Sequence, residues 1–94
     1  MIIWRPNALS EVEQTLRYLR DRDDLAARRF LSDVDSATRL ILRRPRLGRP
    51  SRYPGFRAWS LVRWSKLVIF RETTAGIEIA ALLDTRQLPP KTIK

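Results

Sequence analysis

A proline- and arginine-rich hexapeptide divides the chain into two halves that must fold differently. It reads Pro45-Arg46-Leu47-Gly48-Arg49-Pro50, and its prolines cannot continue a helix. Before it, apolar residues recur at intervals of three and four, as on one face of an amphipathic helix. After it, short apolar segments alternate with turn residues, which is typical of a β-sheet. The sequence therefore predicts helices followed by strands.

The first half is predicted to form two helices. Asn7 is a good N-cap for a first helix from Ala8 to Asp21, which carries a stripe of apolar residues. The polar cluster from Asp21 to Asp24 ends that helix and caps a second one, which ends before Pro45. Because the connection is so short, we expect an antiparallel helical hairpin.

The remaining segments are predicted to be extended. A short N-terminal strand is expected at Ile2 to Trp4, because Arg5-Pro6 discourages helix before it. Three further strands are expected at Phe56 to Val62, Leu67 to Arg71, and Ile77 to Leu83. Tight turns at Trp64 to Lys66 and at Thr73 to Gly76 would join them into an antiparallel meander. The sequence thus predicts a single α+β domain over residues 1–94, of order βααβββ.

The net charge of +9 lies entirely between Arg43 and Arg71. This stretch has no Asp or Glu, and its basic residues are Arg43, Arg44, Arg46, Arg49, Arg52, Arg57, Arg63, Lys66 and Arg71. A positive field concentrated in this way indicates a polyanionic or acidic partner. The alternative is a solvated face that keeps the domain soluble, or side chains that pair with Glu72, Glu78 or Asp84.

Some of these cations are predicted to lie together on the sheet. Arg57 and Arg63 have the same strand parity, so they should project from one sheet face, with Lys66 close by across the turn. Trp59 shares this parity and could stack a nucleobase, although tryptophans at such positions are more often packing residues.

The composition excludes several kinds of site. The chain has no Cys and no His, so thiolate ligands, the usual zinc ligands and the usual near-neutral general base are all absent. We therefore expect no metal and no cofactor.

The apolar runs are too short to span a bilayer, and the N-terminus lacks the long apolar core of a signal peptide, so a cytoplasmic location is expected.

A set of short motifs, in a fixed order, covers nearly the full chain. The motifs are RPNA at residues 5–8, Ala26-Ala27, the hexapeptide Pro45 to Pro50, Gly55-Phe56-Arg57, Leu67-Val68-Ile69-Phe70-Arg71, and Gly76-Ile77-Glu78-Ile79. In order and spacing they resemble the RelE/ParE superfamily of bacterial toxins. The resemblance implies the toxin component of a type II toxin–antitoxin system.

The superfamily has two principal activities, and the resemblance is closer to one of them. RelE-like members cut messenger RNA in the ribosomal decoding site with a Lys and Arg cluster and a Tyr or His near the C-terminus. This chain has no Tyr after Tyr53, and Asp84 follows the last strand where the family often has His. A carboxylate there would repel the attacked phosphate unless Arg86 neutralises it.

ParE-like members instead poison DNA gyrase, which requires binding surfaces rather than an acid and a base. The resemblance therefore favours a ParE-like gyrase inhibitor that is not an enzyme. A RelE-like, ribosome-dependent endoribonuclease is the alternative, and a non-toxic nucleic-acid-binding module is a further one.

The expected site residues follow from the charge pattern and the resemblance. Target contacts are expected from Arg49, Arg52, Arg57, Arg63, Lys66 and Arg86. For an endoribonuclease, the catalytic candidates are Arg57, Arg63, Lys66 and Arg86. The expected partner is a cognate antitoxin with a DNA-binding N-terminal domain and an acidic C-terminal tail, which forms a hetero-oligomer with the toxin. Its binding residues are expected to be Leu16, Leu19, Phe30, Val34 and Trp59.

Overall fold

Two helices pack on one face of a five-stranded mixed sheet in the computed structural model, which describes residues 1–94. In chain order the elements are β1 (Ile2–Trp4), α1 (Pro6–Arg20), α2 (Asp24–Arg43), β2 (Arg49–Pro50), β3 (Arg57–Leu61), β4 (Lys66–Thr73) and β5 (Gly76–Asp84). A 3-10 turn over Val62–Trp64 connects β3 to β4. The structure confirms the predicted α+β class.

The sheet has the strand order β1-β5-β4-β3-β2. The antiparallel meander of β3, β4 and β5 was predicted. β1 was predicted as a strand without a position in the sheet, and β2 was not predicted. β1 pairs in parallel with β5, with Ile2 opposite Ile77 and Trp4 opposite Ile79. The two-residue β2 pairs with the beginning of β3, so the hexapeptide that follows α2 is attached to the sheet.

The two helices begin in different ways. α1 begins at Pro6, where the fixed φ and missing N–H of proline are tolerated. The prediction that Asn7 caps this helix is wrong, because the cap position is Arg5 and the Asn7 side chain donates to the Ala80 carbonyl at 3.2 Å. The prediction for α2 is confirmed, since the Asp23 carboxylate accepts two backbone N–H groups of the first turn, at 3.1 and 3.3 Å.

The main core lies between the helices and the sheet. Its largest fully buried members are Phe30 and Ile41 from α2 and Phe70, Ile77 and Ile79 from the strands. A smaller cluster on the opposite sheet face contains Tyr53, Ala58, Ile69, Ala80 and Ala81. Side chains of successive strand residues point to opposite faces, so neighbouring residues of β4 serve the two clusters. Neither helix has the length and apolar character that a membrane span requires.

Candidate target-binding surface

A polar cleft of about 470 Å³ opens between α1 and the ends of β4 and β5. Its charged and aromatic lining residues are Glu11, Tyr18, Arg63, Trp64, Lys66, Asp84 and Arg86. The cleft therefore brings together three of the six cations expected to contact the target. The other three lie elsewhere, as described below.

Lys66 connects the two sides of the cleft. It stands first in β4, opposite Asp84 in the last position of β5, on the sheet face that the helices cover. Its Nζ lies 3.3 Å from Glu11 Oε1 on α1 and 3.9 Å from Asp84 Oδ2. Because Lys66 is only 7% exposed and is held by two carboxylates, it ties α1 to the sheet. Its ammonium has little freedom to reach a ligand.

Asp84 is held by Arg86 as well as by Lys66. Arg86 donates from Nε to Asp84 Oδ1 at 3.1 Å and from Nη2 to Oδ2 at 3.0 Å, and its backbone N–H donates to Oδ1 at 2.8 Å. These bonds from the Arg86 side chain and backbone, together with the Lys66 charge, lower the pKa of Asp84 from 3.8 to about 2. Asp84 is thus an ionised carboxylate whose charge Arg86 neutralises.

This arrangement predicts how stability depends on acid. A carboxyl group whose pKa is lower in the folded state stabilises the fold above its unfolded pKa, and that contribution is lost as the pH falls. We expect the free energy of unfolding to decrease as the pH is lowered from 3.8 to about 2, and to decrease less steeply in Asp84→Asn. Urea unfolding measured across this range tests the expectation. The exposed Glu13→Gln, which breaks no ion pair, is the control, and equal pH slopes in wild type and Asp84→Asn would contradict the expectation.

Arg63 is not on a strand, contrary to the prediction from strand parity. The strand ends at Leu61, and Arg63 lies in the 3-10 turn, with Nη1 3.7 Å from Asp33 Oδ2. The reason is Trp64, whose ring packs edge-on against Phe30 at 5.4 Å and whose Nε1 donates to Asp33 at 2.8 Å. The turn that packs this half-buried indole against the core moves Arg63 out of the sheet and to the rim of the cleft.

Arg57 has a different position from the one expected for a target contact. It begins β3, and its guanidinium donates from Nε to the Leu47 carbonyl at 3.1 Å and from Nη2 to the Gly48 carbonyl at 3.0 Å. Arg57, Arg63 and Lys66 therefore do not form one cationic cluster. Arg49 and Arg52 line a separate groove of about 370 Å³, and Arg57 lines neither this groove nor the polar cleft.

The residues expected to bind an antitoxin are only partly accessible. Phe30 and Val34 are buried, with exposures of 0% and 5%, so the expectation that they contact a partner is corrected. They face the sheet because the apolar stripe of α2 forms the core. Leu16, Leu19 and Trp59 are half-buried and pack at the margin of that core.

Two residues of the cleft were missed by the sequence analysis. Glu11 and Tyr18 are seven residues apart on α1, a spacing that places them on one face of a helix. That signal was available, but only the tertiary fold brings this face against Lys66 and Arg86. Tyr18 is 57% exposed, and the Arg22 guanidinium lies 3.7 Å from its ring centroid. No three or more Asp or Glu side chains converge in a way that could hold a metal ion.

Comparisons with known proteins agree with this fold. The family described as ParE toxin of type II toxin-antitoxin system, parDE, matches residues 2–89. No curated protein matches the chain in sequence. Among solved structures, a chain from "Chromosomal ParDE TA system from P. aeruginosa" is 21% identical with a TM-score of 0.74, covering 86% of this chain and 90% of that one. At this identity the structural likeness shows the fold, whereas the family match spans nearly the whole sequence. The chain belongs to the ParE toxin family of type II toxin–antitoxin systems.

Proposed function

We propose that this chain is a cytoplasmic toxin that inhibits DNA gyrase and is neutralised by a cognate antitoxin. The observation that carries the proposal is that the cations of the polar cleft are held by carboxylates. Arg86 is bound by Asp84, and Lys66 lies between Glu11 and Asp84. Such a cleft offers a rigid surface of fixed charges for binding, which is what inhibition of a protein target requires.

The same geometry argues against phosphoryl chemistry in the cleft. A ribonuclease needs cations that are free to stabilise the negative charge that develops on the attacked phosphate. Lys66 and Arg86 are already engaged, and Arg63 is close to Asp33. One feature does favour the endoribonuclease alternative, because Tyr18 brings a hydroxyl-bearing ring into the cleft. Substitution of Tyr18 therefore distinguishes the two activities.

The antitoxin is proposed to bind the groove between α2 and β3. This groove of about 240 Å³ is lined by Leu40, Trp59, Leu61, Val62 and Trp64 among its apolar members, with Arg63 at its side. Val62 is 83% exposed, so it offers an apolar anchor that the toxin itself does not cover. The apolar face of an amphipathic antitoxin tail fits such a groove, and the tail would form a hetero-oligomer with the toxin.

The proposed function predicts that the purified protein increases the amount of gyrase-linked cleaved DNA, with no ribosome present. Arg63→Gln and Arg86→Gln should each weaken this effect about tenfold, because a charged contact left unmade costs about 1 to 3 kcal/mol. Arg28→Gln is the matched control, since it removes an exposed arginine that is paired with Asp24 on the hairpin. The antitoxin encoded beside the toxin should abolish the effect.

A parallel assay separates the endoribonuclease from the gyrase inhibitor. Wild type and Tyr18→Phe are added to translating ribosomes, and new messenger RNA ends are mapped by primer extension. Codon-specific cleavage that is lost in Tyr18→Phe, together with no effect on gyrase at any dose, would overturn the proposed function.

A further inference from the structure

Within the basic stretch from residue 43 to residue 71, the unpaired positive charge is concentrated in a much shorter segment. Of the nine cations between residues 43 and 71, Arg63, Lys66 and Arg71 each lie within 4.0 Å of a carboxylate. Arg57 donates to two backbone carbonyls. The five that remain are Arg43, Arg44, Arg46, Arg49 and Arg52, which we call the arginine loop. All five are exposed, and none makes a side-chain hydrogen bond or ion pair.

The backbone beneath the arginine loop is fixed, although the segment has almost no regular structure. The two hydrogen bonds from Arg57 hold the Leu47 and Gly48 carbonyls, and β2 pairs Arg49 with Ala58. The side-chain oxygen of Ser51 then accepts the Tyr53 N–H at 3.0 Å. Cations on a fixed backbone lose less conformational entropy on binding than cations on a mobile loop. Arg57 is thus a positioning residue for the arginine loop.

The chemistry of the arginine loop fits a phosphate backbone better than a protein. Protein interfaces depend on large apolar or aromatic anchors, but the two large side chains of this kind in the segment, Leu47 and Tyr53, turn inward. Leu47 packs against the main core, and Tyr53 is 5% exposed with its hydroxyl donated to the Pro90 carbonyl. What the loop presents is five exposed guanidinium groups, which bind phosphates in bidentate fashion.

The same observations favour a duplex over a single strand. Single-stranded nucleic acids are bound by stacking bases on exposed aromatic rings, and the only ring in this segment is buried. A duplex bound through its phosphates needs cations alone.

We propose that the arginine loop binds the phosphate backbone of duplex DNA. A role of this binding in toxicity rests on the proposed function. DNA gyrase acts on duplex DNA, and the arginine loop would bind that DNA next to the enzyme. Binding of DNA itself does not depend on that function. Arg43 and Arg44 also stand at the C-terminus of α2, where cations complement the helix dipole, so Arg46 and Arg49 are the residues to test.

The test is the affinity of the full-length protein for a fluorescent 20-base-pair duplex of arbitrary sequence, measured by anisotropy at several salt concentrations. If five phosphates are neutralised, the affinity should fall about 500-fold between 50 and 200 mM salt. Arg46→Gln/Arg49→Gln should bind about tenfold more weakly at 100 mM salt and reduce the logarithmic salt slope by about two. Neither substitution removes a contact within the fold, so thermal unfolding should be unchanged.

The matched control is Arg20→Gln/Arg29→Gln, which has the same net charge and removes two exposed, unpaired arginines of the hairpin. It should change the affinity by less than about threefold, with an equal salt slope. Equal losses in the two double variants would overturn the proposal, because the effect would then be one of net charge. Tighter binding of double-stranded RNA, or of an acidic peptide, than of duplex DNA would overturn the choice of partner.

The gyrase assay distinguishes the two proposals. If a variant that no longer binds DNA still inhibits gyrase, the proposed function is supported. The arginine loop then has no part in that inhibition. DNA binding through the loop without any effect on gyrase leaves the inference standing and removes the proposed function.

Discussion

Gly48→Ala should lower the free energy of unfolding by about 3 kcal/mol, which for a domain of this size shifts the Tm by about 15 °C. Gly48 has a φ of +80°, and a Cβ added there would lie 2.1 Å from the Ala58 carbonyl oxygen. That oxygen belongs to the backbone of β3, so it cannot move aside without breaking the pairing of β2 with β3. The substitution should also reduce DNA affinity, since it displaces the arginine loop from the sheet.

Gly55 provides the control for this effect. Its φ of +86° is nearly the same, but a Cβ there would meet nothing within 4 Å. Gly55→Ala should therefore lower the free energy of unfolding only by the cost of holding alanine at a positive φ, about 1 kcal/mol. Chemical denaturation of both variants measures the difference. If both variants lose the same stability, the Ala58 carbonyl gives way to the added Cβ without cost, and the backbone at Gly48 is not held tightly against β3.

Lys66→Met should destabilise the fold by about 2 to 3 kcal/mol, because it leaves the Glu11 carboxylate of a largely buried ion network without its cation and removes one of the two cations beside Asp84. Methionine is unbranched and only one atom shorter than lysine, so most of the loss measures charge rather than packing. The double variant with Glu11→Gln should recover at least half of the lost stability, since the carboxylate that remains, Asp84, is still bound by Arg86.

The exposed pair of Arg39 and Asp35 is the reference for Lys66→Met. Its N–O distance is 3.0 Å, shorter than either contact of Lys66, but the two side chains are 76% and 59% exposed. Arg39→Met should change stability by less than about 0.5 kcal/mol, since water screens an exposed ion pair. A comparable loss in the two variants would show that burial of the Lys66 network contributes nothing.

Local patterns were enough to predict the helices and the meander. The helical spacing of apolar residues, the Asp23 cap and the stop at Pro45 are signals contained in a few neighbouring residues. The parallel pairing of β1 with β5 was not predictable in this way, because it joins residues more than seventy positions apart. The same is true of β2, whose two residues have no strand pattern of their own.

The sequence predicted several charged residues of the cleft, but not their positions or the groups with which they pair. Strand parity assumes that a strand continues, but β3 ends at Leu61, and the turn that follows packs Trp64 against Phe30 and places Arg63 outside the sheet. The burial of Lys66 had a signal that was overlooked, since Lys66 has the same strand parity as Val68 and Phe70. A lysine on the core face of a strand must find a carboxylate, and the antiparallel register supplies Asp84.

The pairing of β1 with β5 also limits when the sheet can be completed during synthesis of the chain. The first strand has no neighbour in the sheet other than the last one, and the Met1 carbonyl accepts the Ile77 N–H at 2.9 Å. β1 therefore has no strand to pair with while most of the chain is being translated. The sheet can therefore be completed only after residues 76–84 have been synthesised, so the edge that β1 occupies forms last.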